Sequence, residues 1–195
     1  MEWLVSIALG IGLAAASGFR VFLPLLIAGL AAHAGWIGLS AHFAWLDSTP
    51  VLFALGTAAL FEVLAYYVPG VDHLLDVLAA PAAAIAGVLT SAAVMTDVSP
   101  HVQWPIAIIA GGGIASFTKA ASALLRAKTG IATAGLGNPV VSTAETAGAT
   151  SLSLLAILAP LVCLILVLFL TVWLGRKLLR FFRGKGPTPA RPREL

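Results

Sequence analysis

Charged residues are scarce in this sequence, and cysteine occurs only once. Asp, Glu, Lys and Arg make up 10% of the 195 residues, whereas a soluble domain carries roughly 25%. So few charges cannot cover a water-exposed surface, which excludes a soluble globular protein. The single Cys163 excludes a disulfide framework and a thiolate metal cluster. Common enzyme motifs such as Gly-x-Ser-x-Gly, Cys-x-x-Cys, the Walker loop and His-Glu-x-x-His are missing as well, and we expect no cofactor and no bound metal.

Apolar sequence is abundant instead. The hydrophobic fraction is 60% and the mean hydropathy is +1.03, and the apolar residues form long runs rather than the short alternating segments of a barrel. Helices are therefore the expected spanning unit, and a helix needs about 20 apolar residues to cross the hydrocarbon. We predict an all-α membrane protein of about six transmembrane or re-entrant helices. The clear candidate spans are 3–32, 51–68, 73–95, 104–126 and 152–175.

The first candidate span contains an arginine and is too long for one straight helix. In "GLAAASGFRVFLPLL", Pro24 removes a backbone hydrogen bond and clashes with the carbonyl four residues earlier, which belongs to Arg20. We expect this run to tilt, or to break near Ser17 and Gly18 with a kink at Arg20.

A second irregular segment, 131–150, is rich in Gly, Ala and Thr and only weakly apolar. It is either an external loop, which gives five spans, or a broken or re-entrant membrane segment, which gives about six. The basic C-terminal tail and the pair Arg126 and Lys128 should both be cytoplasmic, which requires the segment to enter the membrane. We therefore favour six crossings, with both termini cytoplasmic and with 33–50 and 96–103, which contain no Lys or Arg, on the outside.

Basic residues are concentrated at the C-terminus. Seven of the eleven Lys and Arg residues follow residue 175, in a Pro- and Gly-rich tail. We interpret this cluster as a topology signal and an anchor for lipid headgroups, and we expect no nucleic-acid partner. The predicted organisation is one helical membrane domain, 1–182, followed by a disordered basic cytoplasmic tail, 183–195.

The two halves of the chain, 3–95 and 104–175, are weakly similar to each other. "AAASGFR" at 14–20 aligns with "GIASFTK" at 113–119. Three spans in each half would turn the second copy upside down, which is a common build for transporters with a site between the halves. We therefore predict a 3+3 inverted-topology repeat. The aligned pairs are Ser17 with Ser116, Arg20 with Lys119, Glu62 with Glu145 and Pro81 with Pro160.

Four ionisable residues stand in apolar surroundings: Arg20, Glu62, Lys119 and Glu145. Each costs several kcal/mol at the centre of a bilayer unless it is paired or hydrated, so each is expected to face the interior. They form either two structural ion pairs, Arg20–Glu62 and Lys119–Glu145, or a polar cavity in which the bases attract an anion and the carboxylates carry protons or cations. We favour the cavity, because a buried ion pair stabilises a fold less than apolar packing does.

The stretch "EVLAYYVPGVDHLLD" (62–76) places Asp72 and Asp76 one helical turn apart, after a Pro-Gly turn. Asp72 is most simply a helix N-cap, with Asp76 near the positive end of the same helix. The alternative is a cation or proton site that includes Glu62 or His73.

The stretch "GLGNPVVSTAE" (135–145) has the turn chemistry of a helix break, because Asn138 precedes Pro139. Backbone groups that are freed inside a membrane must be satisfied by protein, water or substrate. Asn138 is therefore a candidate substrate ligand, and a plain surface loop is the alternative.

Three stretches, "LAAASGFRVFLPLLIAGLAA", "EVLAYYVPGVDHLLD" and "GLGNPVVSTAE", resemble an uncharacterised family of small bacterial inner-membrane proteins that is known only as a domain of unknown function. The resemblance covers about residues 4–170. It implies a bacterial multi-spanning protein of the inner membrane, and it supplies no activity, substrate or catalytic residue.

Three functions fit these patterns. The first is a small secondary transporter or permease for an anionic small solute or lipid-linked group. The second is a non-transporting membrane scaffold with structural ion pairs, and the third is a membrane-embedded lipid-modifying enzyme. The expected partners are the lipid bilayer and a small solute or ion, and a homodimer is left open. For the transporter, the predicted substrate-binding residues are Arg20, Lys119, Ser17, Ser116 and Asn138, and the predicted proton- or cation-coupling residues are Glu62, Glu145, Asp72 and Asp76.

Overall fold

The computed structural model describes residues 2–67, 71–133 and 137–183, and it describes only the backbone of 71–77, 178 and 181–183. Every regular element in these ranges is helical, which confirms the predicted all-α membrane architecture. In chain order the elements are α1 (Glu2–Ser17), α2 (Phe22–His33), a 3-10 segment (Ala41–Asp47), α3 (Thr49–Ala65), α4 (Val71–Val94), α5 (Pro100–Ile106), a π segment (Ala107–Gly112), α6 (Gly113–Thr133), α7 (Asn138–Leu158) and α8 (Pro160–Arg183).

Three helices of the described chain are long and apolar enough to cross a membrane. They are the continuous rod Pro100–Thr133, which joins α5, the π segment and α6, and the helices Asn138–Leu158 and Pro160–Lys177. α3 becomes a fourth span when it is combined with the 3-10 segment before it, at a bend of 70°. α1 and α2 are apolar but shorter.

The predicted span 152–175 is wrong, because a helix boundary falls inside it. α7 ends at Leu158, the backbone of Ala159 leaves the helical region (φ −144°, ψ 69°), and α8 begins with Pro160. Proline is favoured at the first helical position, where its missing N–H is not required. It cannot continue the preceding helix without losing a hydrogen bond.

The irregular segment 131–150 contains a boundary between two long helices. α6 ends at Thr133, and α7 begins at Asn138 with Pro139 in its first turn; residues 134–136 lie outside the described chain. The external-loop alternative is therefore wrong from the start of α7 onward, because Asn138–Leu158 is a helix long and apolar enough to cross a membrane.

α1 runs antiparallel to α7. Gly12 in α1 lies against Ala156 near the last turn of α7, and Arg20, just after α1, bonds to Ser142 near the first turn of α7. The beginning of α1 therefore lies at the end of the bundle where α7 finishes.

α2 runs antiparallel to α3. The backbone N–H of Phe22, at the start of α2, bonds to Glu62 near the end of α3. At the other end of α2, the Nδ1 atom of His33 lies 2.8 Å from the carbonyl oxygen of Asp47, just before α3 begins. α2 therefore finishes where α3 starts.

The beginning of α1 and the end of α2 lie at the same end of the bundle. Gly10 of α1 lies against Ser91 in the last turn of α4, and Ser40, after α2, donates its N–H to the carbonyl of Ala93 at 2.8 Å. We call this the α4–α5 end, because α4 finishes and α5 begins there. α1 and α2 thus form a hairpin that enters and leaves at the α4–α5 end, and its tip is the turn 18–21.

The predicted break in the first apolar run is confirmed. α1 ends at Ser17, and backbone bonds from Gly18 and Phe19 back to α1 close a turn after it. Pro24 then falls in the first turn of α2, where proline is tolerated.

α8 runs in the same direction as α1. Gly12 lies against Cys163 near the start of α8, and Phe19 shares a cavity with Leu170 and Trp173 further along α8. α8 therefore finishes at the opposite end of the bundle from the beginning of α1, and we call that the C-terminal end. The six-crossing prediction put both termini on one side of the membrane; in the described chain the beginning of α1 and the end of α8 lie at opposite ends of the bundle, because the turn 18–21 reverses the first run.

Small residues allow α4 to approach the π segment closely. A Cβ atom on Gly87 of α4 would lie 2.4 Å from the Cβ of Ala115 and 2.8 Å from the carbonyl oxygen of Gly111. Gly112, one position further, lies against Val88. Close contacts between small residues are a usual way for helices to associate in lipid, where the hydrophobic effect gives no drive between apolar surfaces.

Candidate functional site

Arg20 lies at the hairpin tip, and its side chain is completely buried, with 0% exposure. Its Nε donates to the Thr146 hydroxyl at 3.1 Å, and its Nη2 donates to the carbonyl and the hydroxyl of Ser142 at 2.9 and 2.6 Å. Its Nη1 has no hydrogen-bond acceptor among the residues that the structure describes. α7 therefore holds the guanidinium through two of its three nitrogens, and the third remains a donor inside the bundle.

Glu145 connects the tip to α6. Its carboxylate accepts hydrogen bonds from Ser122 Oγ and Arg126 Nη2, and Arg20 Nη2 lies 3.8 Å from the same oxygen that Arg126 contacts. Glu145 and Arg126 are only 4% and 3% exposed. A carboxylate between two guanidinium groups lowers the repulsion between them and compensates part of their lost hydration.

The cluster lies closer to the C-terminal end than to the α4–α5 end. Glu145 is seven residues from the start of α7, Asn138, and thirteen residues from its finish, Leu158. At a rise of 1.5 Å per residue these separations are roughly 10 and 20 Å. The charged residues therefore lie inside the bundle but not at its middle.

The ring of Tyr66 lies beside three cationic groups. Its centroid is 4.4 Å from Arg20 Cζ, 4.4 Å from Arg126 Cζ and 5.4 Å from Lys119 Nζ, and Lys119 Nζ donates to the Tyr66 hydroxyl at 3.2 Å. Each distance is within the range in which a cation is attracted to an aromatic face. Tyr66 follows the last residue of α3 and is buried, so the end of α3 supplies the aromatic centre of the cluster.

Glu62 caps the beginning of α2. Its Oε1 accepts the N–H of Val21 at 2.7 Å, and its Oε2 accepts the N–H of Phe22 at 3.0 Å. The first N–H groups of a helix have no partner within the helix, and the helix dipole favours a negative charge there. No direct ion pair joins Arg20 and Glu62 in the described chain; the ion-pair partner of Arg20 is Glu145. The ion-pair alternative is therefore wrong for Arg20 and Glu62.

Two cavities adjoin the cluster. One of about 360 Å³ lies between α2, α3 and α4, and Glu62 and Tyr66 are the polar side chains among its described lining residues. The other, of about 330 Å³, lies between α1, α6, α7 and α8, and Ser122 belongs to its lining. Since Ser122 also donates to Glu145, each cavity reaches a residue of the charged cluster.

A family model matches residues 7–180, which is most of the chain. The chain belongs to the family described as Domain of unknown function (DUF4126). No curated protein and no solved structure matches it. Since the family description names no activity, the site of this DUF4126 protein is interpreted from its own geometry.

The hairpin tip brings together most of the charged residues predicted for the site. Arg20, Lys119 and Glu145 are buried in one cluster, and Glu62 lies at its edge beside the cavity. Asn138 is buried at the start of α7, one helical turn before the Ser142 that binds Arg20.

The two predicted serines lie elsewhere. Ser17 is fully buried, and its hydroxyl donates to the carbonyl of Leu13 at 3.0 Å and lies 3.3 Å from the hydroxyl of Thr90, between α1 and α4. Ser116 is exposed, and its hydroxyl donates to the carbonyl of Gly112 at 2.7 Å. Both hydroxyls satisfy backbone groups of their own helices rather than facing Arg20.

Asp72 and Asp76 lie on the first two turns of α4, and their side chains are outside the described part of the chain. Within the described residues, no group of three His, Cys, Asp or Glu side chains could hold a metal ion.

Sequence reasoning missed several residues of the cluster: Tyr66, Ser122, Arg126, Ser142 and Thr146. Arg126 was interpreted only as a cytoplasmic topology signal, whereas its side chain is 3% exposed and donates to Glu145. The signal that could have found it is the spacing of the buried residues of α6. They are Ala115, Lys119, Ser122 and Arg126, which recur every three or four positions on one helical face.

Proposed function

We propose that this protein is a small secondary transporter for an anionic solute in the bacterial inner membrane, with the hairpin tip as its binding site. The observation that carries the proposal is the fully buried Arg20 at the tip of a hairpin that enters and leaves at one end of the bundle. Helices that end inside a membrane protein leave backbone groups to be satisfied there, and transporters use such ends to bind solutes and ions.

The charge of the cluster supports an anionic solute. Arg20, Lys119 and Arg126 gather around the ring of Tyr66. Each cation loses several kcal/mol of hydration free energy when it is buried, and apolar side chains of the same size would hold the helices together at lower cost. The Nη1 of Arg20 gives an anion a donor to bind. Asn138 is a neutral candidate for a further contact.

The carboxylates provide a route to coupling. Glu145 accepts from both Arg126 and Ser122, and loss of its negative charge would weaken both contacts and increase the positive potential at the tip. Glu62 holds two backbone N–H groups of α2 in the same way. We propose that proton binding at Glu145 promotes anion binding. Asp72 and Asp76 are kept as candidate proton- or cation-coupling residues on the basis of their sequence positions alone.

The distribution of basic residues supports an orientation. The connections 33–50 and 96–103 at the α4–α5 end contain no Lys or Arg, and neither does the first turn of α1, whereas Arg176, Lys177 and Arg180 follow at the C-terminal end. Basic loops remain in the cytoplasm. We propose that the C-terminal end faces the cytoplasm and that the α4–α5 end faces the periplasm.

The test is a flux measurement on the purified full chain in lipid vesicles loaded with a pH-sensitive dye. Gradients of chloride, nitrate, sulfate and phosphate are imposed in turn across the vesicle membrane, with and without a pH gradient. The flux is compared between vesicles that contain wild type, Glu145→Gln or Glu62→Gln. The matched control is Glu2→Gln, an exposed acid far from the tip. We expect at least one anion to move faster than through protein-free vesicles, and its response to pH to disappear in Glu145→Gln but not in Glu2→Gln.

The second candidate is a membrane scaffold, and the bonding of Glu62 favours it, because both oxygens of that carboxylate have structural partners. A scaffold would move none of the four anions although the protein is folded. It would also tolerate joint replacement of Arg126 and Glu145 by methionine, because apolar pairs of similar volume often stabilise a buried site.

A further inference from the structure

The cavity beside Ser122 is an apolar groove on the side of the bundle. Its lining includes Ala15, Phe117, Ala121, Leu125 and Leu170, and two of these side chains are strongly exposed, Leu125 at 58% and Leu170 at 45%. It lies between α8 and the rod Pro100–Thr133 that contains α6, and both are long and apolar enough to span a membrane. An occupant of the groove would therefore lie within the membrane and present an apolar surface.

The groove continues into a basic surface. Trp173 lines the groove and also a second depression on α8, together with Arg176, Lys177 and Arg180. Lys177 Nζ lies 5.1 Å from the centre of the Trp173 ring, and the indole is 52% exposed. Tryptophan prefers the boundary between hydrocarbon and headgroups, so the three bases lie where lipid phosphates occur.

We infer that the α6–α8 groove and the α8 bases together form a binding site for one anionic phospholipid. One acyl chain lies in the groove beside Ala121 and Leu170, and the phosphate lies between Arg176, Lys177 and Arg180. The charge of these three bases selects an anionic headgroup over a zwitterionic one. The groove makes the contact a site, because a basic surface alone would attract any anionic bilayer without fixed stoichiometry.

The test counts lipids that remain bound to the purified full chain in detergent, by native mass spectrometry. The probes are dioleoyl phosphatidylglycerol and dioleoyl phosphatidylcholine. For wild type we expect one retained phosphatidylglycerol, preferred over phosphatidylcholine by about tenfold or more. The headgroup variant is Arg176→Gln with Lys177→Gln and Arg180→Gln, in which the preference should disappear.

A charge-matched control separates the site from general attraction. Lys185→Gln with Arg191→Gln and Arg193→Gln removes the same charge from the C-terminal tail, outside the described residues, and should keep the preference. Loss of the preference in the tail variant as much as in the α8 variant would overturn the inference, and so would equal retention of the two lipids by wild type.

The groove is tested separately. Ala121→Phe fills it and should reduce the retention of both lipids, whereas Ala120→Phe, at the neighbouring exposed position, should not. If Ala121→Phe does not fold, Leu170→Trp at the exposed edge of the groove replaces it. Unchanged retention in a folded groove variant would contradict the acyl-chain position. None of these results depends on solute transport.

Discussion

Glu62 and Val21 are joined by a hydrogen bond of 2.7 Å between the end of α3 and the beginning of α2. The contact links residues 41 positions apart in the sequence, and it fixes where the hairpin turns back. The Glu62 carboxylate of α3 accepts hydrogen bonds from backbone N–H groups of α2. Its contribution to the free energy of unfolding can therefore be measured by substitution.

Glu62→Ala removes both acceptors from the start of α2. We expect the free energy of unfolding to fall by about 1–3 kcal/mol, because two N–H groups lose charged partners, and we expect Glu62→Gln to have a smaller effect because one acceptor oxygen remains. The measurement is unfolding in mixed micelles with increasing dodecyl sulfate, followed by circular dichroism. Glu2→Ala is the control and should change the stability by less than about 0.5 kcal/mol; equal stability of Glu62→Ala and Glu2→Ala would contradict the capping role.

Close helix contacts predict a contrast between two glycines. A Cβ on Gly87 would lie 2.4 Å from the Cβ of Ala115, whereas a Cβ on Gly56 would meet nothing within 4 Å. Gly87→Ala should therefore destabilise the fold by about 1–3 kcal/mol through overpacking. Gly56→Ala should leave it unchanged or stabilise it by up to about 1 kcal/mol, since alanine favours helix. The free energy of unfolding is measured in the same way for both variants. Equal stability of Gly87→Ala and Gly56→Ala would show that the helices can move apart without loss of stability.

The contact between Arg126 and Glu145 predicts strong energetic coupling. Arg126→Gln and Glu145→Gln should each destabilise the protein by about 3–5 kcal/mol, because each leaves a buried charge without its partner. The double variant should be more stable than the sum of the single effects predicts, by at least about 1 kcal/mol. The control is Asp97→Asn, because Asp97 is exposed and distant in sequence from Arg126 and Glu145. Its effect on stability should add to that of Glu145→Gln. Additivity in the Arg126 cycle would show that the contact contributes nothing to stability.

The hairpin predicts which positions share a side of the membrane. In a Cys163→Ala background, Glu2→Cys and Asp97→Cys should react with a membrane-impermeant maleimide from the same side of intact spheroplasts, because both lie at the α4–α5 end. Arg180→Cys should react only after permeabilisation. Labelling of Glu2→Cys and Asp97→Cys from opposite sides would contradict the hairpin and would show that the first apolar run crosses the membrane completely.

Local chemistry made the break in the first run predictable, whereas the reversal of the chain was not. Ser17, Gly18 and Pro24 identify a helix break within ten residues of sequence. The direction in which α2 then leaves depends on Ser40 meeting Ala93, and no periodic pattern encodes that contact.

The charged residues of the site were visible to sequence reasoning, but their partners were not. Isolated ionisable residues in apolar runs pointed to Arg20, Lys119 and Glu145. The ion-pair alternative placed Glu62 against Arg20, but Glu62 meets backbone N–H groups, which leave no trace in the sequence. The place of Arg126 in the cluster was missed because a base after an apolar run is also the usual mark of a cytoplasmic boundary.

The position of α1 has a consequence for how the protein is made. α1 precedes the other described helices in the chain, yet its neighbours include α6, α7 and α8, which are synthesised after it. Its buried small residues therefore cannot reach their final surroundings until α8 has been synthesised. Nascent chains that stop before α7 lack the Ser142 and Thr146 that hold Arg20. The hydrogen bonds that hold Arg20 inside the bundle therefore form only after α7 has been synthesised.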